Sequence, residues 1–261
     1  MLTPEAAMGA GTWIAAGWRI YRANWGRMML GALALMGFYL LLVALGGGIG
    51  YILGPLRIPE VGEELPPWAL VMLVILNLTV GIMLYLGFYY YALRLVRGRS
   101  PSIVQDLLYP FRRPLAVIGV AILYALAIMG GLALLIVPGI ILAIRFYFAG
   151  IALIDRNLGV SEALKESSRL TRGHRLSLFL VLLFFIFVDA ALKLAVLLFF
   201  ALVLPVPLLN TTSELVANFL SLLVVTPWEA ASFMCAYDAL LEGAYPPGAA
   251  EEEGPDITSP A

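Results

Sequence analysis

Six long apolar runs constrain this chain more than any other feature of its sequence. A helix needs about 20 mostly apolar residues to cross a bilayer, and the runs lie near Met28–Leu53, Trp68–Leu93, Leu115–Val137, Ile140–Ile154, Leu176–Leu204 and Leu215–Leu241. Only 13% of the residues are charged, where a soluble domain carries roughly a quarter. The runs therefore predict an all-α fold, a polytopic membrane helical bundle of about six transmembrane helices. The fourth run is the weakest, because it is short and Arg145 interrupts it.

Lysines and arginines are distributed unequally among the segments that flank these runs. Most of them lie before the first run, after the second and after the fourth, whereas the first connection has Arg57 against Glu60, Glu63 and Glu64. Cytoplasmic loops of membrane proteins are enriched in lysine and arginine. The pattern predicts a multi-pass protein of the cell (inner) membrane with both termini in the cytoplasm.

A change in composition separates these runs from the C-terminal end of the chain. Residues 1–244 are the predicted six-span integral membrane domain. From Tyr245 onward the chain is rich in Pro, Gly, Ala and Glu, with three consecutive glutamates at Glu251–Glu253. Segments of this composition bury too little apolar surface to fold, so residues 245–261 are predicted to form a disordered acidic tail.

Each odd-numbered span follows a short amphipathic segment. These segments are Thr3–Trp25, Ser100–Tyr109 and Ser161–Arg172, and each combines a helix-capping residue with an apolar face and a basic corner. Helices of this kind lie in the headgroup layer, so the segments are predicted to be cytoplasmic amphipathic interfacial helices. Their shared order fits a threefold internal repeat, or only the common need of such hairpins for a basic corner.

Four ionisable residues fall inside the predicted spans, where burying a charge in lipid is costly and marks a candidate functional site. Asp189 and Lys193 are four residues apart and can pair on one helix face. By the helical rise, Asp189 lies roughly 20 Å from the inner end of its span and Arg145 roughly 10 Å from the outer end of its own. These depths coincide in a core about 30 Å thick. Arg145, Asp189 and Lys193 are therefore predicted to form one intramembrane cluster, with Glu229 outside it.

This predicted cluster has two interpretations. It is either a polar site for an anionic ligand or a proton relay, or a structural ion pair that fixes the packing of the fourth and fifth spans. A stripe along the sixth span predicts, in the same way, either a ligand cavity or hydrogen bonds between helices. The residues of the stripe are Asn218, Ser221, Glu229 and Ser232.

The basic corners are candidate contacts to anionic lipid headgroups. The residues concerned are Arg112, Arg113, Arg172 and Arg175. The topology rule alone also accounts for basic residues at these positions.

Residues that catalytic and metal sites need are scarce in this chain. It has one histidine, His174, and one cysteine, Cys235. Its sequence shows no metal-ligand spacing, no nucleophile with a histidine base and no phosphate loop. No catalytic residue, metal, other cofactor or nucleic-acid partner is therefore predicted.

Five parts of the chain carry a resemblance to a known family: the Trp-rich amphipathic helix at the N-terminal end, VPGIILAIRFYFAG at 137–150, SEALKESSRLTRGHR at 161–175, SPSIVQDLL at 100–108 and YDALLEG at 237–243. Together they resemble the membrane domain fused to some glycerophosphodiester phosphodiesterases, and that domain's stand-alone, uncharacterised prokaryotic relatives. The resemblance implies a six-span bacterial inner-membrane module. It does not carry over the phosphodiesterase chemistry, which needs clusters of histidine and carboxylate around a divalent metal.

The leading hypothesis is a non-enzymatic integral membrane protein that interacts with membrane lipids or with other membrane proteins. Its cytoplasmic helices would supply the contact surface. The alternative is a small-molecule transporter or channel-like module that uses the cluster of Arg145, Asp189 and Lys193.

Overall fold

The computed structural model describes residues 9–53, 67–202 and 206–245, and all regular elements in these ranges are helical. The α-helices are α1 (Ala10–Ala23), α2 (Trp25–Leu53), α3 (Pro67–Val96), α4 (Ile103–Leu107), α5 (Pro114–Leu134), α6 (Ile136–Arg145), α7 (Ala149–Asp155), α8 (Val160–Leu170), α9 (Arg175–Ala201), α10 (Val206–Leu220) and α11 (Thr226–Ala244). A 3₁₀ turn at Tyr109–Arg112 precedes α5, and a π-helical turn at Ser221–Val225 joins α10 to α11. The all-α prediction is confirmed for the described part of the chain, and the predicted tail beyond Tyr245 lies outside it.

Five segments are long and apolar enough to cross a membrane: Val74–Val96, Pro114–Leu134, Ile136–Asp155, Arg175–Ala201 and Thr212–Ala244. A shorter apolar helix, Trp25–Leu41, lies within α2. Five of the six predicted spans thus correspond to segments of spanning length. The predicted fourth span consists of two helices, α6 and α7, and the segment that contains both helices and the turn between them has 20 residues.

The outer surface of these long segments is strongly apolar. Large side chains such as Leu115, Met129, Leu134 and Phe187 are exposed there. Soluble monomers rarely expose a contiguous apolar surface of this kind. The surface is typical of a helical bundle that is embedded in lipid.

Buried side chains in the described part of the chain concentrate toward the end at which α3, α7 and α11 terminate. We call it the arginine-rich end, because Arg94, Arg97, Arg156 and Arg169 make their polar contacts there. Helix α7 lies in its centre, and five of its seven residues are buried, since α3, α5 and α8 pack around it. Large aromatic side chains complete this core, among them Trp13, Phe88, Tyr91, Phe148 and Tyr237.

Helix α1 packs with one face against α11. The indole Nε1 of Trp228 donates a hydrogen bond to the carbonyl oxygen of Ile14 over 3.2 Å. Gly17 permits the close approach, because a Cβ at this position would lie 2.1 Å from the Oγ of Ser232. The amphipathic helix predicted from Thr3 is thus present from Ala10, and its apolar face contacts protein; Thr3 itself lies outside the described residues.

The second predicted amphipathic helix is much shorter than expected. Helix α4 has five residues and follows Ser102, whereas the prediction placed the cap at Ser100. The helix is held against α3, where a Cβ at Gly87 would lie 2.1 Å from the carbonyl oxygen of Leu107. The predicted end of this helix at Tyr109 belongs to the 3₁₀ turn.

The third predicted amphipathic helix is α8, and its first residue also differs from the prediction. The side chain of Glu162 accepts a hydrogen bond from the backbone N–H of Gly159 over 2.8 Å. This contact starts the helix at Val160, so Ser161 lies inside the helix and does not cap it. Gly173 has a φ of +88°, the left-handed conformation that favours glycine, and it ends the segment as predicted.

Candidate functional site

Arg145 ends α6 at a break in the fourth apolar segment. The chain turns at residues 146–148, and such a helix end leaves backbone carbonyl groups without helical partners. The carbonyl oxygen of Arg145 accepts hydrogen bonds from the hydroxyls of Ser167 (2.9 Å) and Thr171 (3.3 Å). The side-chain Nε of Arg145 donates a hydrogen bond to the Oγ of Ser168 over 2.7 Å. Arg145 is therefore attached to α8 by both its backbone and its side chain.

The structure does not bring Arg145 to Asp189. The prediction that Arg145 forms a cluster with Asp189 and Lys193 is therefore wrong. Asp189 instead forms an ion pair with Lys193, with 2.8 Å between Oδ2 and Nζ, and accepts a hydrogen bond from Ser221. The depth estimate treated the fourth span as one continuous helix. The break after Arg145 turns this residue toward α8 and invalidates that assumption.

Glu229 lies beside the Asp189–Lys193 pair, although the prediction placed it outside. A pocket of about 260 Å³ is lined by these three residues, by Ser221 and by apolar side chains. Thr212–Ala244 has 33 residues and extends roughly 50 Å at the helical rise. This length exceeds the thickness of the bilayer core. The depth of Glu229 that was obtained by counting residues from the outer end of the segment was therefore wrong.

The predicted stripe along the sixth span does not form one continuous surface. Asn218 lines a separate pocket that Lys193 also borders, whereas Ser221 bonds the carboxylate of Asp189. Ser232 is buried at the contact between α11 and α1 and bonds within its own helix. The stripe thus divides among two pockets and one helix contact.

Arg112 and Arg113 do not line the pocket in which Arg172 and Arg175 lie. The Nη1 of Arg113 donates hydrogen bonds to Asn157 Oδ1 (2.8 Å) and to the carbonyl oxygen of Leu158 (3.0 Å). The guanidinium of Arg112 lies 5.1 Å from the centre of the Tyr109 ring. Both arginines therefore have protein partners at the start of α5.

Arg172 and Arg175 line an open pocket between α6, α8 and the start of α9. Its volume is about 750 Å³. Helical spacing places Lys165, Ser168, Arg169 and Arg172 on one face of α8 and the turn that follows it. We call this the basic pocket, and its lining residues are Arg145, Lys165, Ser168, Arg169, Arg172, Gly173, Arg175 and Leu176. Five of these are cationic and none is acidic.

Hydrogen-bond donors outnumber acceptors on the walls of the basic pocket. The Nε of Arg175 is buried and has no partner among the described residues. Helix α9 begins at Arg175, so its first backbone N–H groups point outward without helical acceptors and carry partial positive charge. Cationic side chains and a helix start together make an environment that favours a negatively charged group.

Tyr245 packs at the rim of the basic pocket. Its hydroxyl accepts a hydrogen bond from Arg169 Nη1 over 2.7 Å, and its ring centre lies 4.4 Å and 4.7 Å from the guanidinium groups of Arg156 and Arg169. Glu166 bonds both Arg156 and the Tyr245 hydroxyl. Tyr245, which sequence composition placed in the tail, therefore belongs to the folded part of the chain.

Sequence reasoning missed an ion-pair network next to this pocket. Arg97 contacts Asp155 at two positions, Nη1–Oδ1 at 2.6 Å and Nη2–Oδ2 at 3.0 Å, and its Nε lies 2.7 Å from Asp238 Oδ1. The Tyr237 hydroxyl donates to Asp155 over 3.2 Å. Burial alone would lower the pKa of Arg97, but the two carboxylates outweigh this effect, and the pKa is raised above its ordinary value.

The network differs in charge balance from the basic pocket. Arg97 sits between two carboxylates, and Arg94 likewise pairs over 2.6 Å with the buried Asp106. In the sequence, the only indication of these ion pairs was that each residue lies near the end of a predicted span on the same side of the membrane. The positive charges of the network are therefore paired with carboxylates, and these pairs join the ends of α3, α7 and α11. The positive charge of the basic pocket, by contrast, is not paired with carboxylates of the described residues.

Comparison with known proteins identifies one family. A family model described as "Domain of unknown function (DUF7847)" matches residues 5–240. Neither the curated proteins nor the solved structures give a match. The family match carries no link to the membrane domain of glycerophosphodiester phosphodiesterases, so that resemblance stays a prediction. Among the described residues, no group of three His, Cys, Asp or Glu side chains could hold a metal ion.

Proposed function

We propose that this chain, which belongs to the DUF7847 family, is a non-enzymatic integral membrane protein that binds anionic lipid headgroups in its basic pocket. One observation carries the proposal: five cationic side chains line a single pocket with no carboxylate among them. Anionic headgroups are the abundant partners of such clusters at a membrane surface.

The placement in a membrane rests on the five apolar segments of spanning length and on their exposed apolar side chains. Positive charge is concentrated at one end of the bundle, and the topology rule assigns that end to the cytoplasm. We propose that the arginine-rich end faces the cytoplasm in the inner membrane. The basic pocket then lies where the cytoplasmic leaflet presents its headgroups.

The position of the pocket favours a lipid over a soluble anion. It is bordered by the C-terminal end of α6 and the first turn of α9, and both helices belong to segments of spanning length. Leu176 lines the pocket and is 71% exposed. A ligand in the pocket would therefore touch charged side chains and membrane-facing leucine together.

A binding measurement on the reconstituted protein tests this proposal. The protein is placed in phosphatidylcholine nanodiscs that contain a minor share of phosphatidylglycerol and phosphatidic acid, and the retained anionic lipid is counted by native mass spectrometry. We expect wild-type protein to retain anionic lipid, and the double variant Arg172→Gln, Arg175→Gln to lose most of it.

Arg99→Gln is the matched control for this measurement. Arg99 is exposed at the same end of the bundle and is not part of the basic pocket. Equal retention in wild type, the control and the double variant would overturn the proposal.

A second candidate function is transport of a small molecule. The observation in its favour is the pocket lined by Asp189, Lys193 and Glu229, in which the side chain of Lys193 is 46% exposed. A charged side chain open to the lipid side of a bundle is costly unless water or a ligand reaches it. Uptake into proteoliposomes that depends on Glu229 would favour this function over headgroup binding.

A further inference from the structure

We infer that the basic pocket selects headgroups with at least two negative charges, such as a phosphate monoester, over phosphodiester headgroups that carry one. This inference rests on the proposed headgroup binding and names its ligand class. The ligand would be a lipid whose phosphate is terminal, with one ester bond.

The first argument is the charge that the pocket leaves uncompensated. Arg145, Lys165, Arg172 and Arg175 make no ion pair within 4.0 Å in the part of the chain that the structure describes. The nearby Glu166 is already paired with Arg156. A single negative charge would leave most of this positive charge unbalanced, whereas a phosphate monoester carries about 1.5 to 2 charges at neutral pH.

The second argument is the direction from which the donors approach. Arg145 enters from the end of α6, Lys165 and Arg172 from α8 and its turn, and Arg175 from the start of α9. A terminal phosphate presents three strong acceptor oxygens. A phosphodiester offers two free oxygens and extends away along two ester bonds. Donors on three sides therefore fit a terminal phosphate better.

The third argument concerns the unpartnered Nε of Arg175. This buried donor lies at the first residue of α9, where free backbone N–H groups are also expected. A buried donor without an acceptor is costly, so its acceptor must come from a ligand or from water. A doubly charged phosphate would satisfy it with the strongest type of hydrogen bond, one to an ionised acceptor.

Exposed apolar side chains indicate where the rest of a lipid would lie. Leu176 and Leu180 are one helical turn apart on α9, and Ile140 and Ile141 lie on α6, which packs against α9. All four are exposed, and they lead from the basic pocket along the apolar segments. The acyl chains of a bound lipid would cover this surface, which a free phosphate would leave bare.

The test compares two lipids that differ in headgroup charge and share their acyl chains. Binding of phosphatidic acid and of phosphatidylglycerol is titrated by native mass spectrometry on the full-length protein at pH 8. We expect phosphatidic acid to bind at least tenfold more tightly, which corresponds to about 1.4 kcal/mol. Because the second phosphate pKa is about 6, the preference should shrink when the pH is lowered to 5.5.

Variants connect this preference to the pocket. Lys165→Gln and Arg172→Gln change exposed side chains, so the fold should tolerate them, and each should reduce the ratio of the two affinities. Arg175→Gln should reduce it further, and Arg99→Gln should leave it unchanged. Inorganic pyrophosphate serves as the competitor without acyl chains.

Each outcome has a distinct meaning. Equal affinity for the two lipids, both above phosphatidylcholine, would overturn the inference and leave the proposed function intact. No excess binding of either lipid would overturn the proposed function itself. Competition by pyrophosphate at the same concentration as phosphatidic acid would show that a soluble phosphate is the ligand, and would overturn the lipid assignment.

Discussion

Arg145 and Ser168 are joined by a hydrogen bond of 2.7 Å from Nε to Oγ, and this bond fixes one wall of the basic pocket. The two residues come from different elements, the end of α6 and the face of α8. Their contact directs the arginine away from the carboxylate of Asp189. The same contact therefore removes a positive charge from one predicted site and adds it to another.

Replacing Arg97 by glutamine should destabilise the protein strongly. The change leaves two carboxylates, Asp155 and Asp238, close together at the end of the bundle without their cation. Removing one partner from a buried ion pair is costly, and we expect a loss of roughly 3 kcal/mol in the free energy of unfolding. Denaturation monitored by circular dichroism measures it, and Arg99→Gln, which removes an exposed charge, should stay near wild type.

Gly17→Ala should weaken the packing of α1 on α11. The new Cβ would lie 2.1 Å from the Oγ of Ser232 and 2.6 Å from its backbone, so the helices must separate. We expect a cost of roughly 1–3 kcal/mol, as for other overpacked contacts. Gly11→Ala is the control on the same helix, since its Cβ would meet no atom within 4 Å and alanine favours a helix. If both changes had the same effect on thermal stability, the close contact would be refuted.

Asp189→Leu should destabilise the protein more than the double change Asp189→Leu, Lys193→Leu. The single change leaves Lys193 without the carboxylate that lies 2.8 Å from its Nζ, whereas the double change removes both charges. The midpoint of thermal unfolding in detergent or nanodiscs measures the difference. A double variant that is less stable than the single one would show that the lysine has a further partner.

Reporter fusions should place the connection after the first predicted span and the C-terminal helix on opposite sides of the membrane. A reporter after Gly243 should be active only in the cytoplasm, and one inserted near Glu63 only outside, because basic residues concentrate at the arginine-rich end. Activity of both fusions on the same side would contradict the proposed orientation and the number of spans.

Local patterns in the sequence were sufficient to identify the long apolar helices and one contact within a helix. Apolar runs identify long helices because backbone hydrogen bonds must be satisfied inside each segment. The pair of Asp189 and Lys193 was predictable because residues four apart meet on any helix. The stop at Gly173 was predictable because glycine adopts the left-handed backbone conformation without the strain that other residues would have there.

Contacts between distant segments were decided only by the tertiary structure. Arg97 is 58 positions from Asp155 and 141 from Asp238, and no local periodicity relates them. The position of Glu229 depends on the length of its segment and its π-helical turn, which a count of residues from one end does not include.

The basic pocket combines both kinds of information. The sequence was enough to select Arg172 and Arg175, because basic corners beside apolar runs mark a membrane surface. Only the tertiary structure, in which Arg145 bonds to α8 and α6 packs against α9, added Arg145 and Lys165 to them. The physical reason is that a helix break after Arg145 left a carbonyl group that the hydroxyls of α8 satisfied, and this choice of partner exists only in the folded chain.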